Sequence, residues 1–122
     1  MNEEGDRMRA RDIWTVSIPT GVDTDAPGIL AIEVDDIGTY VVSSNKIGRR
    51  MREYEIVVRR LAAGDPYKPQ QPEYREIHHI LHEAVTFGRP VACVALENCD
   101  EADLGKRRAY WTRMRGTLNR RP

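Results

Sequence analysis

A single arginine, Arg50, lies where a helical pattern would place an apolar side chain. At 100° per residue, the apolar side chains of this segment form one stripe, made of Ile47, Met51, Tyr54, Val58 and Leu61. Arg50 falls at the edge of that stripe, between Val57 and Leu61. Partial burial of a guanidinium is costly unless an anion accompanies it. We therefore expect Arg50 to contact a carboxylate or a phosphate.

Charge is distributed unevenly along the chain. The formal net charge is zero, which argues against indiscriminate attraction to nucleic acid. Residues 1–36 nevertheless carry nine acidic and three basic side chains, residues 46–60 carry two acidic and six basic, and residues 106–122 carry seven basic and none acidic. The two basic segments have helical patterns and would form one positive surface if the fold brings them together. The alternative is that each is a solvated helix face.

Strands that would position these residues are indicated by apolar alternation. The pattern predicts a half-buried strand over 13–18 and core strands over 28–34, 39–43 and 91–96. Residues 35–38 have the composition of a hairpin connection between two of them. The strand around Trp14 would extend the sheet edge or pair with a second copy, which allows a homodimer.

Three helices complete the pattern. The first follows a serine cap at Ser43 or Ser44 and ends at Gly64. The second ends at Gly88 and buries Ile77, Ile80, Leu81, Ala84 and Val85. The third runs from about residue 101 to 115, with Leu104, Trp111 and Met114 turned inward. The sequence thus predicts one α/β domain over 12–122, with a small antiparallel sheet of three core strands flanked by helices, after a flexible segment 1–11.

The order of short motifs resembles that of a known family. Gly28-Ile29-Leu30 begins one strand, and Thr39-Tyr40-Val41-Val42-Ser43 forms the next, before the helix that carries Arg50. Further motifs follow at 87–91, at 94–97, at Tyr110-Trp111 and at Leu118-Asn119. Over roughly residues 27–120 the chain is similar to the GIY-YIG endonucleases. Members of that family carry a Gly-Ile-Tyr strand, a Tyr-Ile-Gly strand and a helix with an arginine, in this order.

The resemblance implies a division of chemical roles. In the family a glutamate on the last helix holds a divalent metal, tyrosines and a histidine position or activate water, and the arginine holds the scissile phosphate. On that basis Tyr40 matches the second-motif tyrosine, Arg50 the phosphate arginine and Asn119 the asparagine near the end of the domain. Tyr54 stands where many members carry histidine.

Several positions depart from the family pattern. Leu30 replaces the first-motif tyrosine, Val42 replaces the second-motif glycine, and Arg108 occupies the position of the metal-binding glutamate. Arg108 lies four residues after Leu104 and three before Trp111, so helical spacing predicts that it points inward. Arg50 and Arg108 would then converge on one pocket, with an anion between them. Glu33 is a candidate for that anion.

Three functional interpretations follow. The preferred one is a nuclease-like domain without metal-dependent cleavage that binds DNA or RNA phosphate, through Arg50, Arg49, Arg108, Asn119, Lys106 and Arg115. The second is a protein-interaction or structural domain in which Arg50 and Arg108 close buried salt bridges. The third is an active endonuclease using Tyr40, Arg50 and Tyr54, with Mg²⁺ or Mn²⁺ on a relocated ligand among Glu97, Glu101 and Asp103.

Other features favour ordinary structural roles. Cys93, within an apolar run, and Cys99 are the only cysteines, and two thiols without a cystine framework fit a reducing compartment. No apolar run has membrane-spanning length, and the charged N-terminus predicts a cytoplasmic location. No motif indicates a resident metal or an organic cofactor. His78 and His82 have zinc-helix spacing, but we expect both on the polar side of their helix.

Overall fold

The computed structural model describes residues 14–67 and 73–120 of the 122-residue chain. These residues form an α/β fold, in which a four-stranded mixed sheet is flanked by three helices. The α/β prediction is therefore confirmed. The segment 1–11, expected to be flexible, lies outside the described residues.

Four strands make up the sheet. They are β1 (Trp14–Ser17), β2 (Gly28–Val34), β3 (Gly38–Ser44) and β4 (Val91–Asn98). Their order across the sheet is β1-β4-β2-β3, so the buried strand β2 lies between its hairpin partner and the strand that follows much later in the chain. The hairpin turn places Asp36 at φ 62° and Gly38 at φ 150°.

The pairing of β1 differs from that of the core strands. The three core strands pair antiparallel, as predicted, since β2 is antiparallel to both β3 and β4. β1 joins the edge of β4 in parallel, with Trp14 opposite Val91, so the sheet as a whole is mixed rather than antiparallel. The chain between β1 and β2 accounts for this, because it returns to the sheet two positions away instead of forming a hairpin with β1.

Three α-helices connect and cover the strands. They are α1 (Ile47–Ala62), α2 (Glu76–Thr86) and α3 (Leu104–Arg115); short 3₁₀ turns occupy Glu101–Asp103 and Leu118–Arg120. The serine cap predicted for α1 is wrong, because its N-cap is Lys46 and no side chain caps it. Loop carbonyls perform this function: the Gly48 amide donates to the Thr24 carbonyl at 2.8 Å, and the Ile47 amide donates to that of Ala26. Gly64, at φ +81°, follows the end of α1.

The helices pack on both faces of the sheet. α1 and α2 cover the face that contains Leu30, Ile32, Val42 and Cys93, and this apolar cluster includes Met51, Tyr54, Ile77 and Leu81 from the helices. α3 crosses the other face over β2 and β3, where Ile29, Ala31 and Val41 are fully buried. The two helical layers approach one another at the outer edge of β3.

Within residues 14–67 and 73–120, no helix combines the length and the apolar character that crossing a membrane requires.

Candidate anion-binding site

Arg50 lies at the boundary between core and solvent, as the helical pattern predicts. Its guanidinium sits 5.4 Å from the ring centre of Tyr54, one helical turn later, and its Nη1 lies 3.3 Å from Oε2 of Glu53. The Arg50 side chain is 34% exposed and that of Glu53 is 45% exposed, so this is a solvent-screened helix pair. Arg50 Nε is buried and has no hydrogen-bond partner among the described residues.

Tyr54 and His78 line the same recess as Arg50 and are both uncharged near neutral pH. Burial raises the pKa of Tyr54 to about 12, so its phenol keeps its proton. Burial, and then the charges of Arg75 and Arg50, lower the pKa of His78 to about 4. His78 Nδ1 accepts a hydrogen bond from the Arg75 amide at 3.2 Å, so the ring proton of the neutral imidazole resides on Nε2.

The prediction that His78 lies on the polar side of its helix is wrong. The residue is 3% exposed and packs 4.9 Å from Tyr67 and 5.9 Å from Tyr54, measured between ring centres. His78 lies three residues before Leu81, so it shares the buried row of α2. His78 is buried within an aromatic cluster whose tyrosines lie outside α2.

The recess around Arg50 is small. Its volume is about 10 Å³, which is room for about one water molecule. It is lined by Arg50, Glu53, Tyr54, Val57, Tyr67, Arg75 and His78. Apart from Glu53, the tyrosine oxygens and His78 Nδ1, which accepts from the Arg75 amide, the polar groups of this lining are hydrogen-bond donors.

A larger cleft adjoins the recess and shares Arg75 with it. Its volume is about 320 Å³, and its lining comprises Tyr40, Arg75, Glu76, Ile77, Ile80, Arg108, Leu118 and Asn119. Arg75 Nη2 donates to the Tyr40 hydroxyl at 3.0 Å, linking β3 to the start of α2. The cleft thus lies at the outer edge of β3, where side chains from α2 and α3 meet.

Arg50 and Arg108 line different hollows, so their predicted convergence on one pocket is wrong. Arg50 lines the recess, Arg108 lines the cleft, and Arg75 contributes to both. Glu33 does not lie between them, because its Oε2 is 3.5 Å from Nη1 of Arg115.

The inward position predicted for Arg108 belongs instead to its neighbour, Arg107. Arg107 Nε and Nη2 bind the two carboxylate oxygens of Glu97 at 2.5 and 3.0 Å, whereas Arg108 is exposed. Met114, also predicted to point inward, is 64% exposed. Spacings of three and four residues both keep side chains on one helix face, so Leu104 and Trp111 alone do not distinguish position 107 from position 108.

Asn119 is positioned by the free edge of β3. Its Oδ1 accepts from the Val41 amide at 2.6 Å, and its Nδ2 donates to the Val41 carbonyl at 2.9 Å. Thr117 Oγ1 accepts from the Thr39 amide at 2.9 Å in the same way. These side chains occupy hydrogen-bonding groups that a further strand would otherwise use, while Asn119 also lines the cleft.

The remaining basic residues of the predicted binding set are spread over the surface. Arg49 is exposed and lies 3.6 Å from Glu53, and Lys106 is exposed on α3. Arg115 pairs with Glu33 and lies 5.5 Å from the ring centre of Trp111. None of the three lines the recess or the cleft.

The residues present do not fit the divalent metal that the GIY-YIG resemblance implies. Arg108 brings a cation to the position of the expected glutamate. Glu97 belongs to β4, and it is held by Arg107 and by Trp111 Nε1 at 2.9 Å. Glu101 and Asp103 are exposed in a 3₁₀ turn. Within the described ranges, no three His, Cys, Asp or Glu side chains group closely enough to hold a metal ion.

Arg75 and His78 are the site residues that sequence reasoning missed. Arg75 precedes α2 without any apolar pattern to mark it, and its link to Tyr40 joins residues 35 positions apart. His78 could have been found from its spacing to Leu81.

Comparison with known proteins gives no match to this chain. No family model matches the chain, and neither a curated protein nor a solved structure matches it. The likeness to GIY-YIG endonucleases therefore rests on the motifs in the sequence.

Proposed function

We propose that this domain binds the phosphates of DNA or RNA through Arg50 and its neighbours, in the manner of a GIY-YIG-type domain that lacks metal-dependent cleavage. Tyr40 and Arg50 match the family residues, Tyr54 stands where many members carry histidine, and all three lie around adjoining hollows on the side of the sheet covered by α1 and α2. The proposed contact is electrostatic, since a phosphate accepts hydrogen bonds from several donors at once.

The observation that carries this proposal is the unsatisfied donor on Arg50. A buried donor without an acceptor is costly, and native structures pair nearly all such groups. Arg50 Nε has no acceptor in the part of the chain that the structure describes, and it lies in a recess where Arg75 adds a second guanidinium and the neutral His78 adds an N–H. A phosphate on the solvent-exposed side of the Arg50 guanidinium, with one bridging water in the recess, would satisfy these groups together.

The residues at the expected metal position disfavour metal-dependent cleavage. A guanidinium at position 108 repels a divalent cation, and moving Glu97 to a metal would break its contacts with both Arg107 and Trp111. The structural-domain alternative required buried salt bridges. Arg50 instead has a half-exposed partner, and Arg108 has no acidic partner among the residues described.

The basic helices would add non-specific contacts around this centre. Arg49, Lys106 and Arg115 lie outside the hollows and would meet neighbouring phosphates of a long strand. Backbone contacts of this kind give salt-sensitive affinity with weak sequence dependence. We expect the same domain to bind in a reducing, cytoplasmic setting, as a monomer or as a homodimer.

The test is binding and cleavage of labelled single- and double-stranded DNA and RNA, with Mg²⁺ or Mn²⁺ compared with EDTA. We expect binding in EDTA that weakens with salt, no cutting in either metal, and a loss of about tenfold or more in affinity for Arg50→Gln, corresponding to one charged hydrogen bond. Arg59→Gln, an exposed change on the same helix, is the matched control and should bind as the parent does.

Two outcomes would contradict the proposal. Metal-dependent cutting by the parent would show that a relocated ligand operates, and an Arg108→Glu variant run in parallel would show whether position 108 limits that activity. Failure of the parent to bind any of the four nucleic acids would favour the protein-interaction alternative.

A further inference from the structure

The cleft beside the recess contains two arginines that have no ion-pair partner within residues 14–67 and 73–120. Among the residues described, no carboxylate lies within ion-pair distance of the Arg75 or the Arg108 guanidinium, although Arg50, Arg59, Arg89, Arg107 and Arg115 all have such partners. Glu76 is the single acidic residue in the lining that the structure describes. The cleft therefore offers an excess of positive charge to an incoming ligand.

The recess and the cleft differ in volume, and this difference indicates different roles in binding. The recess holds about 10 Å³ and admits about one water molecule, so a phosphoryl group can reach Arg50 only from its solvent side. The cleft holds about 320 Å³, at the lower end of the range of small-ligand sites, which is about 300–1,000 Å³. A phosphate with its attached sugar can enter the cleft as it stands.

The lining of the cleft combines apolar and cationic side chains. Ile77, Ile80 and Leu118 contribute the apolar surface, and the Tyr40 ring lies beside them. Arg75 lies immediately before α2, and Arg108 lies on α3. A nucleotide unit matches this arrangement, because a base or sugar presents an apolar face and the linked phosphate presents the anion.

We propose that Arg75 and Arg108 form a second phosphate subsite next to Arg50, and that the ligand is a single strand presenting at least two successive phosphates. This inference rests on the proposed function. Arg75 lines both hollows, so its guanidinium lies between one phosphate at Arg50 and the next in the cleft. Tyr40 is a positioning residue here, since its hydroxyl accepts the Arg75 Nη2–H at 3.0 Å and fixes the direction of the guanidinium.

A single-stranded nucleic acid fits these two subsites better than a metabolite with one phosphate does. A mononucleotide would occupy one subsite and leave the other cationic. A strand neutralises both subsites. For single strands, each phosphate contact makes the negative slope of log affinity against log salt concentration steeper by about 0.7.

The experiment measures binding of a 5′-labelled single-stranded oligothymidylate over a salt series, for the parent and for Arg50→Gln, Arg75→Gln, Arg108→Gln and Tyr40→Phe. We expect Arg75→Gln and Arg108→Gln each to weaken affinity about tenfold and to reduce the salt slope by about 0.7. Tyr40→Phe should weaken affinity less and leave the slope nearly unchanged. Arg59→Gln is the surface control, and thermal unfolding checks that each variant is folded.

Competition tests the two-phosphate requirement separately. A 5′-phosphorylated dinucleotide should displace the labelled strand at a concentration at least tenfold lower than a 5′-mononucleotide. Equal competition by the mononucleotide and the dinucleotide would overturn the requirement for a strand.

The variants test the second subsite. If Arg75→Gln and Arg108→Gln both keep the parental affinity and salt slope while Arg50→Gln loses affinity, the second subsite is overturned and the proposed function stands. A parent that binds no strand would overturn both proposals.

Discussion

Arg107 and Glu97 form a bidentate ion pair that links α3 to the end of β4. Nε to Oε2 is 2.5 Å and Nη2 to Oε1 is 3.0 Å, and Oε2 also accepts the Trp111 indole N–H at 2.9 Å. α3 buries none of its own residues fully and carries Met114 on the surface, so this polar contact adds to the partial burial of Leu104 and Trp111 in attaching the helix to the sheet. The same contact leaves Arg108 to face the cleft.

Stability should depend on the charge of Glu97. The hydrogen bonds from Arg107, against the opposing effect of burial, hold the pKa of Glu97 below its ordinary 4.5. A lowered carboxyl pKa contributes stability that is present above the unfolded-state pKa and lost as pH falls through the folded-state pKa. Urea unfolding should show Glu97→Gln less stable than the parent at pH 7, with the difference shrinking as pH falls from about 4.5 towards 3. A difference that stays constant over this interval would contradict the assignment.

Protonation of His78 should destabilise the fold. Its pKa is about 4 in the folded protein, against 6.5 ordinarily, so the unfolded chain binds the proton more readily and stability falls as pH drops from 6.5 towards 4. The expected loss is between about 1 and 3 kcal/mol at pH 4. His78→Gln, which keeps an acceptor for the Arg75 amide, should lack this part of the pH dependence of the urea midpoint. An identical pH profile in both proteins would refute the prediction.

Removing the Asn119 amide should expose the edge of β3. Asn119→Ala leaves the buried Val41 N–H and C=O without their side-chain partner, and we expect a loss of about 1–3 kcal/mol in the free energy of unfolding. Asn119→Asp keeps the acceptor but loses the donor, so its loss should be intermediate if the carboxylate is tolerated. Asn45→Ala, at an exposed position before α1, is the matched control and should unfold at nearly the parental urea concentration.

Gly28 should not tolerate a side chain. A Cβ at this position would collide with the Glu97 carbonyl oxygen and with Cδ1 of Ile47, because β2 and β4 approach closely there. We expect Gly28→Ala to lower stability by about 1–3 kcal/mol or more, since the obstacle is partly backbone. Gly105→Ala, where a Cβ meets nothing within 4 Å, should raise stability by up to about 1 kcal/mol through helix propensity. Calorimetric melting of the two variants checks both signs.

The candidate site could be predicted only in part. The stripe of α1 placed Arg50 at the core boundary because helical geometry fixes which side chains share a face. Tyr40 and Asn119 were identified through the resemblance, and both line the cleft. Arg75 could not be inferred, since its role depends on a contact with Tyr40 that local pattern does not encode. The same limit misassigned position 108, where two helical spacings were equally compatible with the apolar neighbours.

The sequence by itself determined the elements of this protein. Apolar alternation located the four strands, the hairpin and the face of α1, because the strand and helix repeats are local properties of the backbone. Tertiary structure alone decided that β1 joins in parallel, that Glu97 binds Arg107, and that Arg75 links two hollows. These features depend on which distant surfaces pack together, and many side-chain pairings satisfy the same local periodicity.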